Sequence, residues 1–412
     1  MSSKPHAEES ALVHDWNVAG GAFVPARRVE LDDETLRDGL QNPSVTDPGL
    51  EDKKRILHLM NRLGIDSAAL GLPGAGPKAF AHVKALCEEI RDQRLSIAAN
   101  CAGRTMIQDA EPMVRITQET GVPIEACLFI GSSPIRQFVE EWTVDDILRR
   151  STEAIAYAVK EGLPVMYVTE DTTRAHPDVV RRLYTAAVEA GARRACVCDT
   201  VGHATPEGAH AVTRFVREVL DATGESVKLD WHGHRDRGLG VANCLAAIRA
   251  GADRVHGCAI GIGERAGNAE MELILVNLML LGWSDRDLSA LPEYCEVISR
   301  AVGAPIPRNL PVVGSDAFET ATGVHAAAVI KAYEKGAEWL ADRIYSGVPA
   351  GAVGRRQVIK VGSMSGRSNV THWLKEHGHA VTDETVQRIL AFAKQSPRNL
   401  DDEELTRLAT SG

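Results

Sequence analysis

The 412-residue chain reads as an α/β protein, a (β/α)8 TIM barrel followed by a mostly helical C-terminal region. Two observations predict this. From about residue 28 one rhythm repeats: a short β-branched or apolar run, a Gly, Pro or polar turn, and an amphipathic helical stretch. Eight such units fit within roughly 270 residues, the count and size of a closed barrel. An open doubly wound sheet would ordinarily carry a G-x-G-x-x-G turn after its first strand, and here that turn reads Arg37-Asp38-Gly39-Leu40-Gln41-Asn42.

In order, strands are expected to begin near Val29-Glu30-Leu31, Ile65-Asp66-Ser67, Leu95-Ser96-Ile97, Ile124-Glu125-Ala126, Pro164-Val165-Met166, Ala195-Cys196-Val197, Val227-Lys228-Leu229 and Arg254-Val255-His256. Helical patterns such as Val179 to Tyr184 and Ala242 to Ile248 fill the gaps. Gly64, Gly121, Gly162, Gly191 and Gly251 stand where a left-handed residue ends a helix. After about residue 300 the rhythm stops. Gly-Ala-Pro-Ile-Pro-Arg (303–308) reads as a linker, a helical stretch follows near 316–335, Ser346 to Gly351 forms a loop, and short helices flank a Gly/Ser-rich patch from Gly362 to Ser368. The expected divisions are an N-terminal extension over 1–27, the barrel over 28–300 and the helical region over 301–412.

Composition narrows the function classes. The formal charge of −10 argues against a sequence-independent grip on nucleic acid. No apolar run approaches the ~20 residues of a membrane span, and MSSKPHAEES lacks the apolar stretch of a secretory signal, so a cytoplasmic location is expected. Eight scattered cysteines without a C-x-x-C pair read as reduced, mostly buried thiols.

Chemistry concentrates at the expected strand ends. Trp231-His232-Gly233-His234 closes the seventh strand, where alternate residues share a face, so both imidazoles point inward at a spacing that suits one metal ion or two hydrogen-bonded histidines. Asp38 at the end of strand one supplies a candidate oxygen ligand. A set of two nitrogens and one carboxylate suits Mg²⁺, Mn²⁺, Zn²⁺ or Co²⁺ and leaves positions open for substrate. Arg37 beside it is a fork for a carboxylate or an enolate oxygen, or else the surface partner of Glu34. Thr169-Glu170-Asp171 and Cys198-Asp199-Thr200 end strands five and six, at the face where barrels do chemistry, although an acidic residue there also suits a helix cap. Gly261 to Asn268 forms a Gly-rich turn fitted either to anion binding or to close packing. Neither a dinucleotide fingerprint nor a P-loop occurs.

Together, Leu36-Arg37-Asp38-Gly39-Leu40-Gln41, Glu170 to Arg174, Asp199-Thr200-Val201-Gly202, His232-Gly233-His234 with Asp236, and Gly261 to Asn268 resemble the ordered motifs of the DRE-TIM metallolyase superfamily. The chain is most similar there to 2-isopropylmalate and homocitrate synthases, and Thr322-Gly323-Val324-His325 and Met364-Ser365-Gly366-Arg367 extend the likeness beyond the barrel. The resemblance implies a divalent metal on Asp38, His232 and His234 with Asn268 as an auxiliary ligand. It implies that Arg37 polarises the acceptor carbonyl, that Thr200 and Arg174 contact the 2-oxo acid, and that Glu170 and His325 help deprotonate acetyl-CoA. It also implies a homodimer in which His325 serves the partner, and a chain ending at Gly412 leaves little room for a leucine-regulatory domain.

Departures from the pattern matter too. Leu40 and Ala69 stand where the group usually has carboxylates, Cys127 where it usually has His, and Arg235 where it usually has Asn. Losing negative charge near the mouth predicts a bulkier or anionic acceptor. Arg37 to Asn42 is also similar to 3-hydroxy-3-methylglutaryl-CoA lyases, which makes thioester cleavage the first alternative. Those lyases carry a catalytic Cys in the Gly-rich loop, whereas Cys258 here is about one position out of register. A noncatalytic metabolite-binding homologue is the second alternative, and the retained ligand set argues against it.

Overall fold

β1 (Glu30–Asp33) pairs in parallel with β2 (Ser67–Ala69) on one side and with β8 (Arg254–Gly257) on the other in the computed structural model, which describes residues 12–411. Between them β3 (Ala98–Arg104), β4 (Ile124–Gly131), β5 (Val165–Glu170), β6 (Arg194–Asp199) and β7 (Lys228–Gly233) complete a closed barrel in sequence order. The expected TIM barrel is therefore the observed fold. Only the start of β3 differs from expectation. The Leu95 amide still bonds the end of the preceding helix through Ile90, and the Ser96 and Ile97 amides bond Asn61 Oδ1, so the ladder begins at Ala98.

Local side-chain caps close the first turn of several barrel helices. Thr143 and Asp146 form a capping box on helix Val144–Lys160, and Thr205 caps helix Pro206–Asp221 ahead of a proline. Gly121 and Gly251 end their helices at φ of 74° and 109°, left-handed backbone that a side chain would strain. All eight cysteines are buried and unpaired. Among the described residues no helix is long and apolar enough to cross a membrane. The segment MSSKPHAEES lies outside the described residues.

Barrel interiors are ordinarily filled with branched apolar side chains. Here the floor is ionic. Arg254 donates to Asp230 and Glu125 at 2.6 Å and to Ser67 at 2.9 Å. Arg194 reaches Asp230 at 2.7 Å, Glu30 at 2.9 Å and Glu125 at 3.1 Å. Asn100 donates to Asp32 at 2.6 Å. Register explains the gathering: Arg194 pairs with Lys228, and Arg254 with both Asp230 and Glu30, so one layer of inward positions carries the charges.

Among the described residues, those up to Pro305 and those from Ile306 form two compact units. The second contains helices Gly323–Glu334, Arg367–Glu376, Asp383–Gln395 and Asp402–Thr410 and a parallel pair of two-residue strands, Glu319–Thr320 and Val358–Ile359. Val361, Val370, Trp373, Leu374, Val386 and Ile389 form its main core cluster. The helix expected from 316 begins only at Gly323, because 315–318 form a 3-10 turn and Glu319 and Thr320 are extended to pair with the second strand.

Candidate metal and substrate site

Immediately after β1 the chain turns sharply: the amides of Arg37 and Gly39 both bond the Glu34 carbonyl, and the Thr35 amide bonds Asp33 Oδ1 at 2.9 Å. The turn brings Glu34, Arg37 and Asp38 to one cavity of about 220 Å³, whose lining also includes His232, His234, His256, Glu170 and Thr200. His232 is the penultimate residue of β7, and His234, two residues on, lies on an isolated bridge to Asn268.

The expected ligand trio is close together. His232 Nε2 and His234 Nε2 lie 3.3 Å apart, and Asp38 Oδ2 is 3.6 Å from the first and 3.5 Å from the second. All three residues are buried, and Asp38 Oδ2 has no hydrogen-bond partner. An unpartnered buried carboxylate oxygen facing two imidazole nitrogens is a poor arrangement for an empty protein and a good one for a divalent cation. Asn268 Oδ1 is likewise buried without a partner, while its Nδ2 donates to the Ile262 carbonyl at 3.3 Å. The residues present fit such an ion.

Around the trio the charges are tightly held. Arg37 donates to Asp38 Oδ1 at 3.1 Å and to Glu34 Oε2. Burial would raise the Glu34 carboxyl, but Arg37 and then His232 override it and hold it well below the usual range. For Asp38 burial is again opposed by Arg37 and then His232, and the net direction is down. Burial, with His232 adding to it, drops His234 to about 4. An unprotonated imidazole at neutral pH is the form that ligates metal.

Glu170 ends β5 with Arg136 Nε 3.5 Å away, and burial raises its carboxyl despite that cation. Thr200 Oγ1 accepts the Asp171 amide at 2.8 Å, leaving its hydroxyl hydrogen free. Arg174 is not brought to the cavity. Its Nε and Nη2 both donate to Asp171 at 2.8 Å, and that bidentate pair three residues apart occupies the guanidinium. His325 lies in the C-terminal unit, its ring stacked on Tyr345 at 4.1 Å between centroids.

The Gly-rich turn takes its close-packing form. A Cβ on Gly267, at φ 101°, would stand 1.8 Å from the Gly261 carbonyl oxygen, and one on Gly263, at φ 146°, would stand 2.1 Å from Asn268 Nδ2. Only glycine lets this loop fold back on itself and carry Asn268 to His234.

Sequence reasoning missed Glu34 as a site residue and missed His256 altogether. Glu34 is 4% exposed, so its bond with Arg37 is not the surface pair weighed above. Strand alternation was the available signal, because β1 and β8 pair Asp32 with His256 and aim that ring inward.

Residues 28–298 match the HMGL-like family. A Methanopyrus kandleri protein named "Probable 2-isopropylmalate synthase" is 34% identical over 371 residues, covering 89% of this chain and 70% of its own. Another protein of that organism, carrying an (R)-citramalate synthase name, is 32% identical over 379 residues, covering 90% of this chain and 69% of its own. The solved HMG-CoA lyase of Bacillus subtilis aligns with a TM-score of 0.58 at 22% identity, covering 69% of this chain and 97% of that one, a likeness of fold.

Proposed function

Because the chain belongs to the HMGL-like family, we propose that it is an acetyl-CoA-dependent acyltransferase joining acetyl-CoA to a 2-oxo acid in a Claisen-type condensation, with release of CoA. The observation that carries this reading is the buried Asp38, His232 and His234 cluster with its unpartnered Asp38 oxygen. Asp38, His232 and His234 would hold a divalent metal ion, with Asn268 assisting, and the bound ion supplies Lewis-acid polarisation of the acceptor. Mg²⁺, Mn²⁺, Zn²⁺ and Co²⁺ all suit this donor set.

The remaining roles fall to the chain itself. Glu170, raised by burial, suits a base that takes a proton from the thioester methyl group. Arg37, fixed by Glu34 and Asp38, lines the cavity where negative charge develops on oxygen. The free hydroxyl hydrogen of Thr200 suits a bond to the acceptor. His325 joins the base as a residue supplied by the second subunit of a homodimer.

Of the two kinds of acceptor expected, the lining favours the bulky apolar one. Leu72, Phe129, Met166, Val168, Cys196 and Cys198 wall the cavity, and its two arginines, Arg37 and Arg265, already pair with Glu34, Asp38 and Asp236. Condensation is also favoured over cleavage, because Cys258 is 0% exposed and absent from the cavity wall.

The test is thiol release from acetyl-CoA, read with a CoA-trapping dye, across a panel of 2-oxo acids with and without EDTA. EDTA-sensitive release with one branched or larger acceptor is expected. Silence across the panel, with cleavage of hydroxyacyl-CoA thioesters instead, would make the protein a lyase. Purified protein that takes up no divalent ion would leave a metabolite-binding homologue.

A further inference from the structure

The two imidazoles of the candidate metal site are the same residue type two positions apart, yet their second nitrogens meet different surroundings. Nδ1 of His234 is buried without a hydrogen-bond partner. Nδ1 of His232 faces Glu34 Oε2 at 3.2 Å. The other Glu34 oxygen takes a hydrogen bond from His256 Nδ1 at 2.9 Å, and Arg37 Nη2 donates to Oε2.

The anchoring continues downward. His256 Nε2 donates to Asp230 Oδ2 at 2.9 Å, and Asp230 is itself gripped by Arg254 at 2.6 Å and Arg194 at 2.7 Å. With a carboxylate on each ring nitrogen, His256 donates from both and is a cation. Glu34 is thus a carboxylate held in place by two cations, its Oε2 left to accept from one further donor.

We propose that Glu34 is a positioning residue for the metal site: it holds His232 with the proton on Nδ1 and so turns the Nε2 lone pair toward Asp38 and His234. A ligand's second nitrogen, bonded to a carboxylate, fixes the tautomer and raises ligand basicity, and removing such a partner lowers metal affinity by about 10–100-fold. The site is then braced on one side only. His232 is tied through Glu34 and His256 to the barrel floor, whereas His234 has no corresponding carboxylate.

This inference rests on the metal-site reading, and its test separates the two. Equilibrium binding of Zn²⁺ or Co²⁺ is measured by competition with a chromophoric chelator, with no turnover involved. Glu34→Gln is expected to bind about 10–100-fold more weakly, with an unchanged circular dichroism spectrum. Glu264→Gln, which also removes a carboxylate from the cavity lining but lies against no ligand nitrogen in the structure, is expected to stay within about twofold. Unchanged affinity in Glu34→Gln, or equal losses in both variants, would overturn the positioning role. A wild-type protein that binds neither ion would instead remove the metal reading. Should Glu34→Gln fail to fold, nitrogen NMR of the metal-free wild type decides the matter: a proton on His232 Nδ1 supports the proposal, and one on Nε2 overturns it.

Discussion

The barrel interior has a floor and a mouth built from similar residue types in opposite states of satisfaction. On the floor, Arg194, Arg254, Asp230 and Glu125 bond one another from different strands, and the one hydrogen-bond orphan, Asp32 Oδ2, still faces His256 Nδ1 at 3.8 Å. At the mouth, Asp38 Oδ2, His234 Nδ1, Arg37 Nε and Asn268 Oδ1 are all buried without hydrogen-bond partners. Buried charge that is fully paired specifies a packing arrangement, whereas buried polar atoms left open are maintained against their desolvation penalty and mark where a ligand completes the structure.

Asp38→Asn tests the mouth most severely. Acetyl-CoA-dependent thiol release should fall by about three orders of magnitude or more, while the thermal midpoint stays within about 4 °C because no floor contact is touched. Large destabilisation with the activity retained would invert the comparison. Arg254→Met is the reciprocal variant. It leaves Asp230 and Glu125 short of a cation in the barrel interior and should cost about 3–5 kcal/mol in denaturant unfolding.

Glu272 gives the smallest and most specific effect. It is fully buried just beyond the mouth loop, its Oε2 accepts the Ile260 amide at 2.9 Å, and burial pushes its carboxyl up to about 8. The folded state therefore binds this proton more tightly than the unfolded chain. The resulting stability is complete below the unfolded value near 4.5 and is lost as pH rises through about 8. Glu272→Gln should flatten that decline by a few kcal/mol, seen as stabilities that converge below about pH 4.5 and separate progressively toward pH 8.

What was legible in the chain was local. Short apolar runs gave the strands, helix-ending glycines gave their spacing, and the His-Gly-His alternation gave the paired imidazoles, because each of these is encoded within a few residues; Asp38 joined them only as a residue at another strand's end. The floor was hidden because its bonds are not local: Arg194 meets Glu30 across 164 positions and Glu34 meets His256 across 222. Arg174 lies outside the cavity lining for the opposite reason, a local one: a neighbour three residues away, Asp171, which sits at a left-handed φ of 61°, takes both ends of its guanidinium fork.

The charged floor also bears on calorimetry. Unfolding a barrel exposes its interior to water, and exposed methyl groups raise the heat capacity while exposed polar groups lower it. With guanidinium and carboxylate groups where branched aliphatics ordinarily stack, this barrel releases less of the apolar surface that curves a stability profile. Charged-group hydration also weakens on heating, which eases the penalty of keeping those ions dry. The floor thereby lowers the heat-capacity change of unfolding, which flattens the dependence of stability on temperature relative to an aliphatic interior of the same size.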